Sequence, residues 1–166
     1  MKQIGKILFI ALISFALASC HMTARFYPVR GPLAEQAAPP VYVGKISGTF
    51  YSGTMKVTGS QGQVFDGHWE TVRQPAKSTD TPETPPSDAE MAPLWDSIYG
   101  DGFYVAHVLG TRLYARGSLK ASNGDTFKVE FYQPEEKNST DANVIRGSIK
   151  GVGKDDKGNV FKITFS

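Results

Sequence analysis

Leu113-Tyr114-Ala115-Arg116-Gly117-Ser118-Leu119-Lys120, followed beyond Asn123-Gly124 by Phe127-Lys128-Val129-Glu130-Phe131-Tyr132, is the stretch that decides the fold class. Leu113, Ala115, Gly117 and Leu119 alternate with Arg112, Tyr114, Arg116, Ser118 and Lys120, and Phe127, Val129 and Phe131 alternate with Lys128, Glu130 and Tyr132. Successive side chains of a strand point to opposite faces, so each stretch predicts one apolar face and one charged face. That pattern belongs to antiparallel strands with one face buried. Asn123-Gly124 supplies the positive φ angles of a two-residue hairpin turn.

The hairpin recurs. Arg116-Gly117-Ser118-Leu119-Lys120 returns as Arg146-Gly147-Ser148-Ile149-Lys150, and Gly124-Asp125-Thr126-Phe127-Lys128-Val129 returns as Gly158-Asn159-Val160-Phe161-Lys162-Ile163. A third, weaker copy runs from Gly53-Thr54-Met55-Lys56 to Gly62-Gln63-Val64-Phe65. The glycine spacings differ by even numbers, which keeps each side chain on its face and predicts related hairpins with loops of different length. Strands are expected at 42–50, 53–58, 63–72, 103–109, 112–121, 125–133, 143–152 and 159–165. Eight hairpin-linked strands predict an all-β domain, either a small antiparallel barrel or a two-sheet sandwich, and closure favours the barrel because it removes exposed edges. Arg116, Lys120, Lys128, Glu130 and Lys162 on the outward face disfavour a membrane-spanning barrel, which needs an apolar outer band. Residues 73–88, with Pro75, Pro82, Pro85 and Pro86, read as a surface loop. Pro93 to Gly100 reads as one short helix that packs Leu94, Trp95 and Ile98 on the sheet.

Ahead of this domain, Lys2 and Lys6 precede the apolar run Ile7 to Leu17, which ends in Leu17-Ala18-Ser19-Cys20. A run of about 11 to 14 residues is short for a spanning helix, which needs roughly 20, and fits a signal h-region. The motif resembles the lipobox of bacterial lipoproteins. The resemblance implies diacylglycerol on the Cys20 thiol, cleavage before it and acylation, palmitate included, of the new amino terminus. With His21 after the cysteine instead of the aspartate of inner-membrane retention, it implies a lipid anchor in the outer membrane and a domain facing the periplasm. Residues 1–20 are then the signal peptide. Residues 21–41, carrying Pro28, Pro32, Pro39 and Pro40, read as a Pro-rich tether, although Phe26, Tyr27, Val29 and Leu33 are apolar for a free linker. Ala24-Arg25-Phe26-Tyr27-Pro28-Val29 with Gly31-Pro32-Leu33 is similar to the mature start of small bacterial lipoproteins of unassigned activity. Residues 42–166 form the soluble β domain.

Cys20 is the only cysteine, so the domain has no internal disulfide, and thioether lipidation would occupy a thiol that is otherwise a liability. The formal charge of +2 comes from Lys2 and Lys6; without the signal the charges balance, which leaves no electrostatic footprint for nucleic acid.

Asp66, His68 and Glu70 alternate on one strand and share a face, which suits metal binding or acid-base chemistry but equally a solvated polar stripe. The stripe is favoured, because alternation alone produces it. His107 has the parity of Phe103 and Val105 and reads as a core-edge residue. Gly151-Val152-Gly153-Lys154 fails as a phosphate loop, since Ser148 and Asp155 stand where that motif needs glycine and Ser or Thr. Trp95, Tyr99, Phe103 and Tyr104 around Gly100 and Gly102 form a possible aromatic binding patch, against which stands burial beneath the short helix at a barrel end. No cofactor or metal motif is present. The expected function is therefore a non-catalytic binding or structural module of the envelope, acting on another envelope protein. A carrier of a small apolar ligand held in the barrel and, less favoured, a hydrolase-like or metal-dependent enzyme using Asp66, His68 and Glu70 are the alternatives.

Overall fold

The computed structural model describes residues 21–49, 51–72, 90–109, 113–134 and 147–166. Cys20 and the Pro-rich 73–88 loop lie outside the described residues. The chain is a closed, up-and-down antiparallel barrel of eight strands in sequence order. They are β1 (His21–Arg30), β2 (Tyr42–Gly48), β3 (Ser52–Thr58), β4 (Val64–Thr71), β5 (Leu113–Ala121), β6 (Thr126–Tyr132), β7 (Lys150–Asp155) and β8 (Val160–Phe165). β1 closes the barrel against β8, with Phe26 opposite Ile163.

Two sequence expectations fail and offset each other in the count of strands. Residues 21–30, assigned to the tether, are β1, hydrogen-bonded to β2 on one side and β8 on the other. Burial explains it: Ala24 and Phe26 are fully buried in the lumen, so the apolar residues that looked odd for a linker are core. The segment after β1 also folds back on the barrel. The Leu33 amide donates to Asn159 Oδ1 at 2.9 Å, Asn159 Nδ2 donates to Asp155 Oδ2 at 2.7 Å, and Asp155 Oδ1 accepts the amides of Lys157 and Asn159. Gly31, at φ +92, passes so close to the β7–β8 turn that a Cβ would sit 2.5 Å from the Gly158 carbonyl oxygen. Conversely, 103–109 is no strand: Tyr104–Val108 is a π-helical turn after the helix α1 (Ala92–Tyr99). Its start is set by Asp96, whose Oδ1 accepts the Tyr104 amide at 2.7 Å. Of the expected strand at 143–152, the described part becomes strand only from Lys150.

The repeated hairpins end in one and the same turn. Gly59, Ala121 and Asp155 each donate their amide to the carbonyl four residues on, at Gln63, Asp125 and Asn159, and each accepts from a glycine three residues on. Those glycines, Gly62, Gly124 and Gly158, have φ of 77, 91 and 83°. These are three-residue loops closed by a left-handed glycine, so the turn at Asn123-Gly124 is one residue longer than expected and the loops do not differ in length.

The lumen is filled by aromatic rings. Phe127 lies 5.7 Å from Phe26, 5.5 Å from Phe65 and 5.0 Å from Phe161, measured between ring centroids. Space for these rings comes from glycines on the neighbouring strands. A Cβ on Gly153 would stand 2.8 Å from the Phe127 ring, on Gly151 2.9 Å from Phe131, and on Gly44 2.6 Å from Phe26. This is why Gly151-Val152-Gly153 belongs to a strand: its glycines are small neighbours of the large side chains Phe131 and Phe127 on the adjacent strand β6.

A second apolar cluster lies outside the barrel. Met91, Leu94, Trp95 and Val108 pack with Leu113, Val152 and Val160 on the outer wall. A register irregularity between Leu113 and Ala115 sends Leu113 to this outer cluster and Tyr114 against the lumen, overriding the simple alternation there. Across β3, β4 and β5 the outer wall is charged or hydroxylated, with Lys56, Asp66, Arg116 and Lys120 among its residues. Among the described residues, no helix is long and apolar enough to cross a membrane.

Candidate functional site

The strand β4 presents Asp66, His68 and Glu70 outward, while Phe65 faces the lumen. All three are exposed. Asp66 lies 3.9 Å from Lys56 Nζ, and Glu70 Oε1 accepts both Nε and Nη2 of Arg116 at 3.1 Å. His68 stands between Thr54 and Ser118 on the neighbouring strands. Among the described residues no three His, Cys, Asp or Glu side chains group so as to hold a metal. The stripe is a solvated polar face whose carboxylates pair with neighbouring cations.

Trp95, Tyr99, Phe103 and Tyr104 are brought together, but as packing. Proline in its first turn starts α1, and Gly100, at φ 107, ends it and donates its amide to the Asp96 carbonyl. The buried side of the helix lies on β6 and β7, along the barrel wall instead of across an end. Trp95 is fully buried, and its indole N–H donates to Glu130 Oε2 at 2.9 Å. The Trp95 ring stacks on Tyr99 at 5.7 Å and on Phe103 at 5.9 Å, and Phe103 meets Tyr132 edge-on at 5.9 Å. The Tyr99 hydroxyl donates to the Gly151 carbonyl at 3.0 Å and accepts the Gly151 amide at 3.2 Å. Burial pushes the Tyr99 hydroxyl up to about 12, with the Gly151 hydrogen bond pulling the other way. Lys150 and Lys162 lie 5.8 and 5.5 Å from the Tyr99 ring centroid and cover it from outside. Trp95, wholly enclosed, fixes the helix to the wall, while Tyr99, Phe103 and Tyr104 are half-buried around it.

His107 is also relocated. With 103–108 helical, its strand parity has no meaning; the side chain is exposed, with its ring 4.6 Å from Phe103 and 5.7 Å from Tyr132.

The lumen offers little to a ligand, since Phe26, Phe127 and Phe161 occupy its centre with no exposure at all. What sequence reasoning missed is on the outside of β1 and β2. Tyr27, Val29, Val41 and Val43 are each 36–47% exposed. The pairings of Arg25 with Val43 and of Phe26 with Tyr42 bring them side by side, and Lys162 and Thr164 flank them from β8. The signal for this strip was present in the apolar residues of the supposed tether. Its meaning depended on seeing that the segment is a strand with two faces.

No family model, curated protein or solved structure matches the chain. Its function has to be read from its own residues.

Proposed function

We propose that the protein is a lipid-anchored bacterial envelope lipoprotein whose barrel is a non-catalytic binding or structural module. One observation carries the proposal: Leu17-Ala18-Ser19-Cys20 follows a short basic and apolar leader and ends on the only cysteine of the chain. Acylation at Cys20 makes a membrane protein of a domain whose outer strand faces are charged. Two or more acyl chains hold it stably, each buried methylene contributing about 0.8 kcal/mol. His21 in second position favours the outer membrane, with the domain in the periplasm. The filled lumen argues against a carrier of an apolar ligand, and the open, ion-paired stripe of Asp66, His68 and Glu70 argues against catalysis there.

The surface best suited to another envelope protein is the strip of Tyr27, Val29, Val41 and Val43, an apolar patch with Arg25 and Lys162 at its border. Such a border favours a partner with acidic residues around an apolar centre. Replacing Cys20 with serine should abolish palmitate labelling and leave unprocessed precursor; continued labelling would sink the anchor. A photocrosslinker at Val29 in intact cells should capture a defined partner that one at Ser118, on the opposite wall, does not. Equal capture at both positions would remove the strip from consideration.

A further inference from the structure

We infer that the barrel stands end-on upon its own membrane, with the end carrying Tyr51, Trp69, Tyr114 and Phe165 seated in the headgroup layer. This rests on acylation at Cys20. The first observation is the absence of slack. His21 is already paired in β1, opposite Ser47, and Thr23 accepts the Ser166 amide from the other side. One peptide unit, about 3.8 Å between α-carbons, therefore separates the lipidated residue from the rim of a closed barrel. The headgroup layer on one side of a bilayer is about 5–8 Å deep. A rim held that close has no room to stand clear of it.

The second observation is independent of the anchor. The two ends of the barrel differ in chemistry. The rim at His21 is formed by the start of β1, β3, β5 and β7 and the end of the other four strands. There Met22, Trp69, Tyr114 and Phe165 lie half-buried over the lumen core. Tyr51, in the β2–β3 turn, is 54% exposed. At the opposite rim the hairpin turns are polar: Gln63 Nε2 and Asn123 Nδ2 donate to Asp125 Oδ2, Lys157 pairs with Asp125, and Asp156 accepts the Thr126 amide, while the exposed apolar residues near that end, Val29 and Val41, are aliphatic. Tyrosine and tryptophan favour the membrane–water boundary, where an amphipathic ring is solvated at one edge only. The aromatic rim is the one next to the anchor. Seated this way, the polar turns and the strip at Val29 and Val41 point away from the lipid, toward soluble partners.

The test uses the full-length, acylated protein in vesicles of phosphatidylethanolamine and phosphatidylglycerol. Single nitroxide labels are placed along one line of the barrel at Tyr51→Cys, Ser52→Cys, Lys56→Cys and Gln61→Cys, and collision with a water-soluble nickel chelate is measured. All four residues are exposed, so the substitutions leave the core intact, and Ser52 stands in for Tyr51 if that variant is poorly made. β3 spans roughly 20 Å, so access at 51 and 52 should be about threefold or more below that at 61, with 56 between. Mass analysis of the N-terminal peptide separates two ways to fail. Acylated protein with equal access at all four sites overturns the end-on seating alone. Protein without acyl chains overturns the anchor and the seating together.

Discussion

The barrel has two hydrophobic clusters of opposite origin, one inside the lumen and one on the outer wall beneath α1. The inner cluster is made by the strands for themselves: Phe127, Phe161, Leu119 and Ile163 all point inward because they sit on one parity of a period-two pattern. The outer cluster is made by an intruder. Val152, Val160 and Glu130 occupy the outward parity, and only the arrival of Leu94, Trp95 and Val108 buries them. The comparison teaches that alternation predicts which way a side chain points, whereas burial depends on what lands on it.

The largest effect is expected at the centre of the lumen. Phe127 touches three other aromatic rings, and the neighbouring Gly153 has no side chain with which to fill a void. Phe127→Ala should destabilise the domain by about 3–5 kcal/mol, read as a lower urea midpoint with the slope unchanged. A loss below about 1 kcal/mol would mean that the lumen is looser than its packing indicates, and would reopen it to a ligand.

The lumen was legible in the sequence and the outer cluster was not, for the same physical reason. Phe127, Val129 and Phe131 announce their face by spacing alone. Glu130 has the spacing of a solvated residue and is 2% exposed. Nothing in its neighbours on the chain says that a tryptophan 35 residues away will cover it. β1 was hidden differently. Pro28 and the prolines after Gly31 gave it the composition of a linker, while its pairing comes from β8 at the far end of the chain. The helix α1 was legible from Pro93 and Gly100, but not the wall it lands on. Of the candidate sites, the outward direction of Asp66, His68 and Glu70 was legible from alternation. The enclosure of Trp95 required the tertiary contact.

The next effect sharpens the outer cluster by a buried polar contact, that of Trp95 with Glu130. Trp95→Phe keeps the ring and removes the N–H that Glu130 Oε2 accepts at 2.9 Å. Leaving a buried carboxylate short of a donor should cost about 1–3 kcal/mol. Changing Glu130→Leu in the same chain should recover part of that loss, because the buried carboxylate short of a donor is then gone. A double-mutant cycle on urea unfolding measures the coupling. Coupling near zero would show that the contact is incidental to the docking of α1.

Tyr99 ties the two clusters together, since its ring lies in the outer one and its hydroxyl grips Gly151, whose inner side faces Phe131. Tyr99→Phe should cost about 1 kcal/mol at neutral pH. The pH dependence has a definite sign. The folded state holds the Tyr99 proton up to about 12, while the unfolded chain releases it near 10. Between those values the folded state binds more protons, so stability is intact below pH 10 and falls as pH rises toward 12, by up to roughly 2 kcal/mol. The Phe variant should lack this component of the alkaline loss. Identical alkaline profiles would place the Tyr99 hydroxyl in water.

The smallest effect belongs to the stretch of outer wall at β4, which no described residue buries. Asp66, His68 and Glu70 share the outward parity of Glu130 but, among the described residues, no helix lies over them, and the ion pairs of Asp66 with Lys56 and of Glu70 with Arg116 are exposed. Exposed pairs of this kind are worth about 0–1 kcal/mol each. Replacing all three with alanine should therefore shift the urea midpoint by less than Trp95→Phe alone, although it removes two carboxylates and an imidazole. Complementation of a deletion strain should be complete, because outward parity without a covering element makes a solvated stripe and not a site. A triple variant that folds normally but fails to complement would give the stripe a role in recognition or chemistry that its geometry does not indicate. One that is destabilised as much as Trp95→Phe would imply an unseen covering element over β4, turning this bare stretch of wall into a counterpart of the one beneath α1.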